Sequence, residues 1–359
     1  TNPAVENLRR KVTAEHAEFV TITKFLSKDV SNDCDILCLD ECSTISNRDM
    51  VRVLQRAQCK LLVLVGDIYQ IESILFGNWF NIAYKVMPKD SVAELTRPHR
   101  TTVQGLIEVW NKVREITEDR LEFITRNGLS STLDESIFSR TEEDEIVLCL
   151  NYDGIYGINN INKFLQSNNV NPSINWGVLS YKVGDPVLFN ESNRFAPLVY
   201  NNLKGKILQI EEEEECIYFT IEVYTVLNEL DVIGFDLELK ESVTDETSVI
   251  RFKVGRGGDG NDDNDNVENV VPFQVAYAIS IHKAQGLEYE SVKVVITSEI
   301  EEMVSHNIFY TAITRAKSKL KIYWSPETEK RILENMKVQF NDKDYQLFKA
   351  KYKEALLKS

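Results

Sequence analysis

Two uninterrupted apolar runs, each ending on acids, constrain this chain more than any other feature. They are Asp35-Ile-Leu-Cys-Leu-Asp40-Glu41 and Lys60-Leu-Leu-Val-Leu-Val-Gly66-Asp67. Runs without polar alternation read as strands covered on both faces, the habit of a parallel sheet. Between them, Met50, Val51, Val53, Leu54 and Ala57 fall at helical spacing. Strand, helix and strand within about thirty residues make a βαβ unit. Ligands of such sheets bind beyond the carboxyl ends of the strands, where Asp40, Glu41 and Asp67 stand.

The remaining texture is mixed. Leu106, Val109, Trp110, Val113 and Ile116 predict one long amphipathic helix over Thr101 to Asn127. From about Tyr181 short strands take over, and Ile217, Phe219, Ile221 and Val223 alternate with polar neighbours as in a half-buried antiparallel strand. After Pro272 the α/β texture returns, with buried strands at 275–281 and 292–297. The expected division is a first core over 1–92, a second over 93–180 and 271–335, a β insertion over 181–270, and a C-terminal helix over 336–359.

Composition excludes several classes. With 43% hydrophobic and 27% charged residues, the chain of 359 residues is globular rather than disordered or fibrous. No apolar stretch approaches the roughly 20 residues of a membrane span, and no secretory signal is visible. Six cysteines without a disulfide framework fit a reducing cytoplasm, the expected location. Cys34, Cys38 and Cys42 fall four apart, but no second pair of Cys or His at ligand spacing lies nearby. On a strand, Cys34 and Cys38 would share one buried face as small hydrophobes.

The formal charge of −15 at first argues against a phosphate-rich partner. Its location removes the objection. Residues 207–270 hold 18 acids against four bases, a balance of −14, which leaves −1 for the rest. Gly255 to Gly260 fits G-x-G-x-x-G, yet NDDNDN follows in place of a helix, so the segment reads as an acidic loop.

Several motifs carry chemistry. In a nucleotide-hydrolysing site the first acid of the pair, Asp40, would hold Mg²⁺, and Glu41 would orient the attacking water. Gln70 of Gly66-Asp67-Ile-Tyr-Gln70 is placed to sense a γ-phosphate. Arg100 of Leu95-Thr-Arg-Pro-His-Arg100 and Arg315 of Tyr310-Thr-Ala-Ile-Thr-Arg315-Ala-Lys317 offer bidentate phosphate contacts. His282-Lys283-Ala-Gln285-Gly286, directly after a buried strand, could bring backbone close to phosphate.

In this order and rough spacing, the set resembles superfamily 1 helicases of the RecD-like branch, and the resemblance covers nearly the whole chain. Thr1-Asn-Pro-Ala-Val-Glu-Asn-Leu8 is similar to the strand-contacting motif Ia, and Val20-Thr-Ile-Thr-Lys-Phe-Leu26 to the contact motif that follows it. Val183-Gly-Asp-Pro-Val and Tyr200-Asn-Asn-Leu-Lys-Gly205 are similar to the small barrel this branch inserts.

The resemblance implies an α/β fold with two RecA-like, P-loop-type parallel-sheet cores and a small Src-homology-like β-barrel insertion in the second. It implies ATP and Mg²⁺, with Asp40, Glu41, Gln70, Arg100 and Arg315 catalytic and Asp67, Gly286 and Glu288 near the nucleotide. Contacts to single-stranded DNA would come from Thr1, Asn2, Thr21, Thr23, Ser280, His282, Lys283 and Gln285. The activity implied is 5′-to-3′ ATP-driven translocation or unwinding. RNA as substrate and a catalytically inactive binding module remain as alternatives.

Two departures matter. Only Ser27 to Cys34 is available for the β-hairpin pin that many relatives insert before the acid pair, which bears on duplex splitting by a conventional pin and not on translocation. The phosphate-binding loop G-x-x-x-x-G-K-[ST] is missing, since the sole Gly-Lys pair, Gly205-Lys206, is followed by Ile207 and has no Gly five residues before it. Truncation is the simplest account. The chain alone is therefore expected to hydrolyse ATP poorly or not at all. Robust turnover by the purified chain, abolished by Glu41→Gln, would overturn this.

Overall fold

Strands Asp33–Leu39 and Gln58–Leu64 pair in parallel, with Ile36 opposite Leu61 and Leu39 opposite Leu64. The helix between them, Asn47–Arg56, starts at Ser46, whose Oγ accepts the Asp49 N–H at 3.0 Å and donates to Asp49 Oδ2 at 2.9 Å. This reciprocal cap satisfies a donor that a helix end leaves open. The helix buries Met50 and Val53 in a cluster with Phe25, Leu39, Cys42 and Ile45, against which Leu37, Leu62 and Leu64 pack.

These observations come from a computed structural model describing all residues except 1–3, 6–7, 10–11, 13, 28–32, 73–76, 97, 191–193, 243, 257–268, 338–341 and 357–359. The chain forms two compact units. One combines residues up to Thr132 with those from Thr297 onward, and the other is Leu133–Ile296. The acidic loop lies outside the described residues.

In the first unit the strands depart from expectation. Alternate residues share a face, so Cys34, Ile36 and Cys38 stand beside Cys59, Leu61 and Val63. On this face Ile36 is 60% exposed, Leu61 is 52% exposed, and Cys38 is exposed too. Among the described residues the sheet has two strands, and its apolar character runs onto a face that nothing described covers.

The long helix also departs from expectation. It is two helices, Gln104–Arg114 and Arg120–Arg126. The first ends in a Schellman motif, with Ile116 N–H bonded to Val113 O at 3.2 Å and Thr117 N–H to Lys112 O at 3.0 Å. Ile116 takes the left-handed position, φ 53°, that glycine usually fills. Downstream, helix His306–Ile313 packs on Gln104–Arg114, where Trp110 Nε1 donates to Ile313 O at 3.0 Å and His306 Nε2 to Val113 O at 2.9 Å. Strand Ala316–Tyr323 follows and pairs in parallel with Ser130–Ser131.

The second unit has two parts. Strand Glu145–Cys149 pairs in parallel with both Ala278–Ser280 and Tyr289–Val295. At its start lies a buried ion pair, Lys293 Nζ to Glu145 Oε1 at 3.0 Å. Thr141 and Ser291 hydroxyls, each 2.9 Å from Glu145 Oε2, complete the carboxylate, and Ser136 O accepts from Lys293 at 2.9 Å.

The other part is a six-stranded antiparallel sheet, which includes Pro186–Phe189, Lys204–Glu212, Cys216–Val223, Ser248–Gly255 and Phe273–Val275. Ile217, Phe219, Ile221 and Val223 are buried, as their alternation requires. Phe219 and Phe273 meet edge to face at 5.0 Å in an aromatic core with Tyr181, Phe189 and Phe252. Arg251 and Arg256, two of the four bases in the acidic stretch, pair with Glu211 and Glu212.

Lys293→Met leaves Glu145 buried without its cation and should cost about 3–5 kcal/mol. Ile36→Thr, on the open face, should stay within about 0.5 kcal/mol of the parent. Urea denaturation midpoints compare the two.

Candidate active site

The two strand ends are tied together by backbone. Val65 N–H donates to Leu39 O at 2.8 Å and Cys42 N–H to Val65 O at 2.9 Å, so the loop after the first strand folds over the end of the second. A Cβ on Gly66 would lie 3.0 Å from Cys42 N and 2.9 Å from Phe80 Cε1, which makes a glycine necessary at that approach. Within the loop Glu41 is left-handed, φ 52° and ψ 42°. Asp40 Oδ1 accepts the Glu41 N–H at 2.8 Å, and Thr44 Oγ1 donates to Glu41 O at 2.8 Å. A non-glycine residue in this region carries strain that the surroundings must hold.

Charge converges on that residue. Burial raises the Glu41 carboxyl above its ordinary range. Arg315 opposes the rise most strongly, Asp40 adds to it, and Arg100 opposes it. Arg315 is 1% exposed. Its Nε donates to Thr311 O at 3.0 Å, and its Nη2 donates to Gln70 Oε1 at 3.2 Å and Thr314 Oγ1 at 3.4 Å. Arg100 donates to Thr314 O. Asp67 Oδ1 accepts the Tyr69 N–H at 2.9 Å and Oδ2 the Gln70 Nε2 at 3.3 Å. The Gln70 amide is thus held at its nitrogen by Asp67 and at its oxygen by Arg315.

Asp40, Glu41, Asp67, Gln70, Arg100 and Arg315 therefore gather within the first unit, although they span most of the sequence. Two residues that the sequence reading did not single out join them. Asn307 Nδ2 donates to Gln70 O at 2.8 Å, and Thr311 Oγ1 accepts the Ile71 N–H at 3.0 Å. Their signal was spacing, eight and four residues before Arg315 in a helical stretch.

The other expected contact residues lie elsewhere. Thr1 and Asn2 are outside the described residues. Thr21 caps helix Ile22–Phe25, its Oγ1 accepting the Lys24 N–H at 3.2 Å, and Thr23 is exposed. In the second unit, Ser280 ends its strand and accepts the Lys283 N–H at 3.2 Å. His282 is exposed, while Lys283 Nζ donates to Gln274 Oε1 at 2.8 Å. The Gln285 N–H closes the turn on His282 O at 3.3 Å, and Gly286 takes φ 79°. Glu288 O accepts from Lys204 Nζ at 3.1 Å.

Among the described residues no three His, Cys, Asp or Glu side chains converge to hold a metal ion. Magnesium needs no such cage, since one or two carboxylates with waters and phosphate oxygens suffice. Asp40, with Oδ1 engaged by backbone, fits that use. No helix among the described residues is long and apolar enough to cross a membrane.

A half-buried carboxylate at a parallel strand end, faced by two arginines and a held glutamine amide, is the donor set that phosphoryl-transfer sites use. Comparison with known proteins agrees. The AAA domain family matches residues 1–134, and the UvrD-like helicase C-terminal domain family matches residues 275–323. A RecBCD enzyme subunit RecD from Mycolicibacterium smegmatis is 22% identical over 336 residues, covering 85% of this chain and 52% of that protein.

An uncharacterized protein of Methanocaldococcus jannaschii is 24% identical over 354 residues, covering 82% of this chain and 29% of that protein. The chain thus spans about half of the one relative and less than a third of the other. The Pif1 helicase of Candida albicans aligns with a TM-score of 0.47 and 17% identity over 87% of this chain and 77% of that one. In its family matches and curated relatives the chain is similar to superfamily 1 helicases of the RecD-like branch.

A raised carboxyl pKa has a definite linkage sign. The folded chain binds the Glu41 proton more tightly than the unfolded chain does, so stability falls as pH rises from the ordinary Glu value of about 4.3 through the folded one. Glu41→Gln should melt like the parent at low pH and above it at pH 7. Thermal melting of both proteins in chelator across that range tests it, and parallel curves would refute the assignment.

Proposed function

We propose that the chain is the motor part of an ATP-driven helicase or translocase acting on single-stranded DNA in the 5′-to-3′ direction. The observation that carries this is the convergence of Glu41, Gln70, Arg100 and Arg315 at one strand end. Kinship with proteins named RecBCD enzyme subunit RecD supports the nucleic-acid substrate.

In this reading ATP is the substrate, and magnesium held by Asp40 supplies charge neutralisation on its phosphates. The Glu41 carboxylate orients water and accepts its proton, a task that suits a carboxyl whose pKa burial has raised. Arg315 and Arg100 offset charge that builds on the transferred group. The Gln70 amide, aligned by Asp67 and Arg315, reports whether that group is present. By the resemblance, Thr21 and Thr23 of the first unit and Ser280, His282, Lys283 and Gln285 of the second are assigned to contacts with the strand, and Gly286 and Glu288 to contacts with the nucleotide.

The alternative reading is a helicase-shaped module that binds strands without turnover. Strand-stimulated ATP hydrolysis by the natural-length polypeptide separates the two. The motor reading expects turnover that Glu41→Gln lowers by about 10²–10⁴-fold, and its absence favours the module. Lys283→Ala should weaken binding of single-stranded DNA and reduce the slope of log affinity against log salt by about 0.7. An unchanged slope would remove Lys283 from the path.

A further inference from the structure

Gln70 is fixed at its side chain and also through its backbone. The carbonyl of Gln70 and the N–H of Ile71 belong to one peptide group, and both of its polar atoms are taken by side chains of helix His306–Ile313. Asn307 Nδ2 meets the oxygen at 2.8 Å and Thr311 Oγ1 meets the N–H at 3.0 Å. Positions 307 and 311 are one helical turn apart, so they lie one above the other on a single face. A peptide held at both ends cannot rotate about its flanking bonds, and its orientation sets where the Gln70 side chain points.

The same helix carries the other half of the arrangement. Thr311 O accepts the Arg315 Nε at 3.0 Å, and Arg315 Nη2 returns to Gln70 Oε1 at 3.2 Å. Thr311 is fully buried and thus holds the Ile71 N–H through its hydroxyl and Arg315 through its carbonyl. The ring closes through four residues: Thr311, Ile71, Gln70 and Arg315. Thr314 also accepts from Arg315 Nη2 at 3.4 Å but does not clamp the 70–71 peptide, since its hydroxyl hydrogen-bonds Tyr310 O at 2.9 Å and Thr311 O at 3.1 Å at its own helix end.

The geometry points to Asn307 and Thr311 as positioning residues for ATP hydrolysis, which set the Gln70 amide and the Arg315 guanidinium in register by clamping the 70–71 peptide. This rests on the reading of Gln70 and Arg315 as groups that meet the terminal phosphate. Neither Asn307 nor Thr311 touches substrate. They act through the two groups that do, and their effect belongs on the chemical step rather than on nucleotide affinity.

The test uses the natural-length polypeptide with saturating single-stranded DNA. Thr311→Val keeps the shape and removes the acceptor. It should lower kcat by about 10- to 100-fold while KM for ATP stays within about twofold, the pattern of an interaction realised in the transition state. Thr311→Ser should restore kcat to within about threefold. In a Gln70→Ala background Thr311→Val should cost no more than about twofold, because the group it positions is gone. Asn307→Asp keeps the size but cannot donate, so it repeats the cycle from the other end of the peptide and stands in if Thr311→Val does not fold.

Wild-type kcat in both Thr311→Val and Asn307→Asp overturns the inference. So does an equal loss with and without Gln70, or failure of serine to rescue. If Gln70→Ala and Arg315→Ala themselves leave turnover unchanged, the underlying site reading has failed instead. If they abolish it while the Thr311 and Asn307 variants do nothing, only the positioning role has failed.

Discussion

The site depends on one short backbone link, the Cys42 N–H bonded to Val65 O above Gly66. Parallel pairing of the two strands brings their ends side by side, but pairing alone would leave the acid loop free to point anywhere. The link folds that loop down, and the bare Gly66 lets it come close enough for Cys42 to stack there. Everything that meets Glu41 is built outward from this contact. Gly66 leads into the Asp67 turn, the turn presents Gln70, and Gln70 meets Arg315 from the far end of the sequence.

Stability considerations alone would not place a glutamate at position 41. Its backbone is left-handed, where a Cβ costs energy, and its carboxylate is half-buried and partly desolvated, where ionisation costs more. Glycine would relieve the first cost and glutamine the second. Local rules broken together at one residue are characteristic of sites kept for chemistry. The arginines offset part of the burial penalty and are themselves ordered by carbonyls and hydroxyls of the helix that precedes Arg315.

Much of this was legible in the sequence, for physical reasons that differ by element. The βαβ unit, the alternating strand Cys216–Val223 and the acid and arginine motifs rest on local periodicity, and local periodicity survives folding. The predicted helix from Thr101 to Asn127 failed because Ile116 is apolar and in phase, while the break depends on its backbone sign, which side-chain type does not encode for isoleucine. The two apolar strands were read as covered on both faces because hydrophobicity reports what a residue prefers, and here one face lacks its cover among the described residues. Asn307 and Thr311 were missed because their partners are peptide atoms over 200 residues away, and backbone partners leave no mark in residue type.

That open face has a consequence for the chain as a material. Among the described residues, a two-stranded parallel ribbon with Ile36, Cys38 and Leu61 facing water has the surface of a sheet caught partway through assembly. Such surfaces ordinarily exist only fleetingly during folding, and they are what makes folding intermediates adhere to one another. Among the described residues the patch is open, so this face has the means to adhere to a further layer, whether that layer comes from the same polypeptide or from another copy.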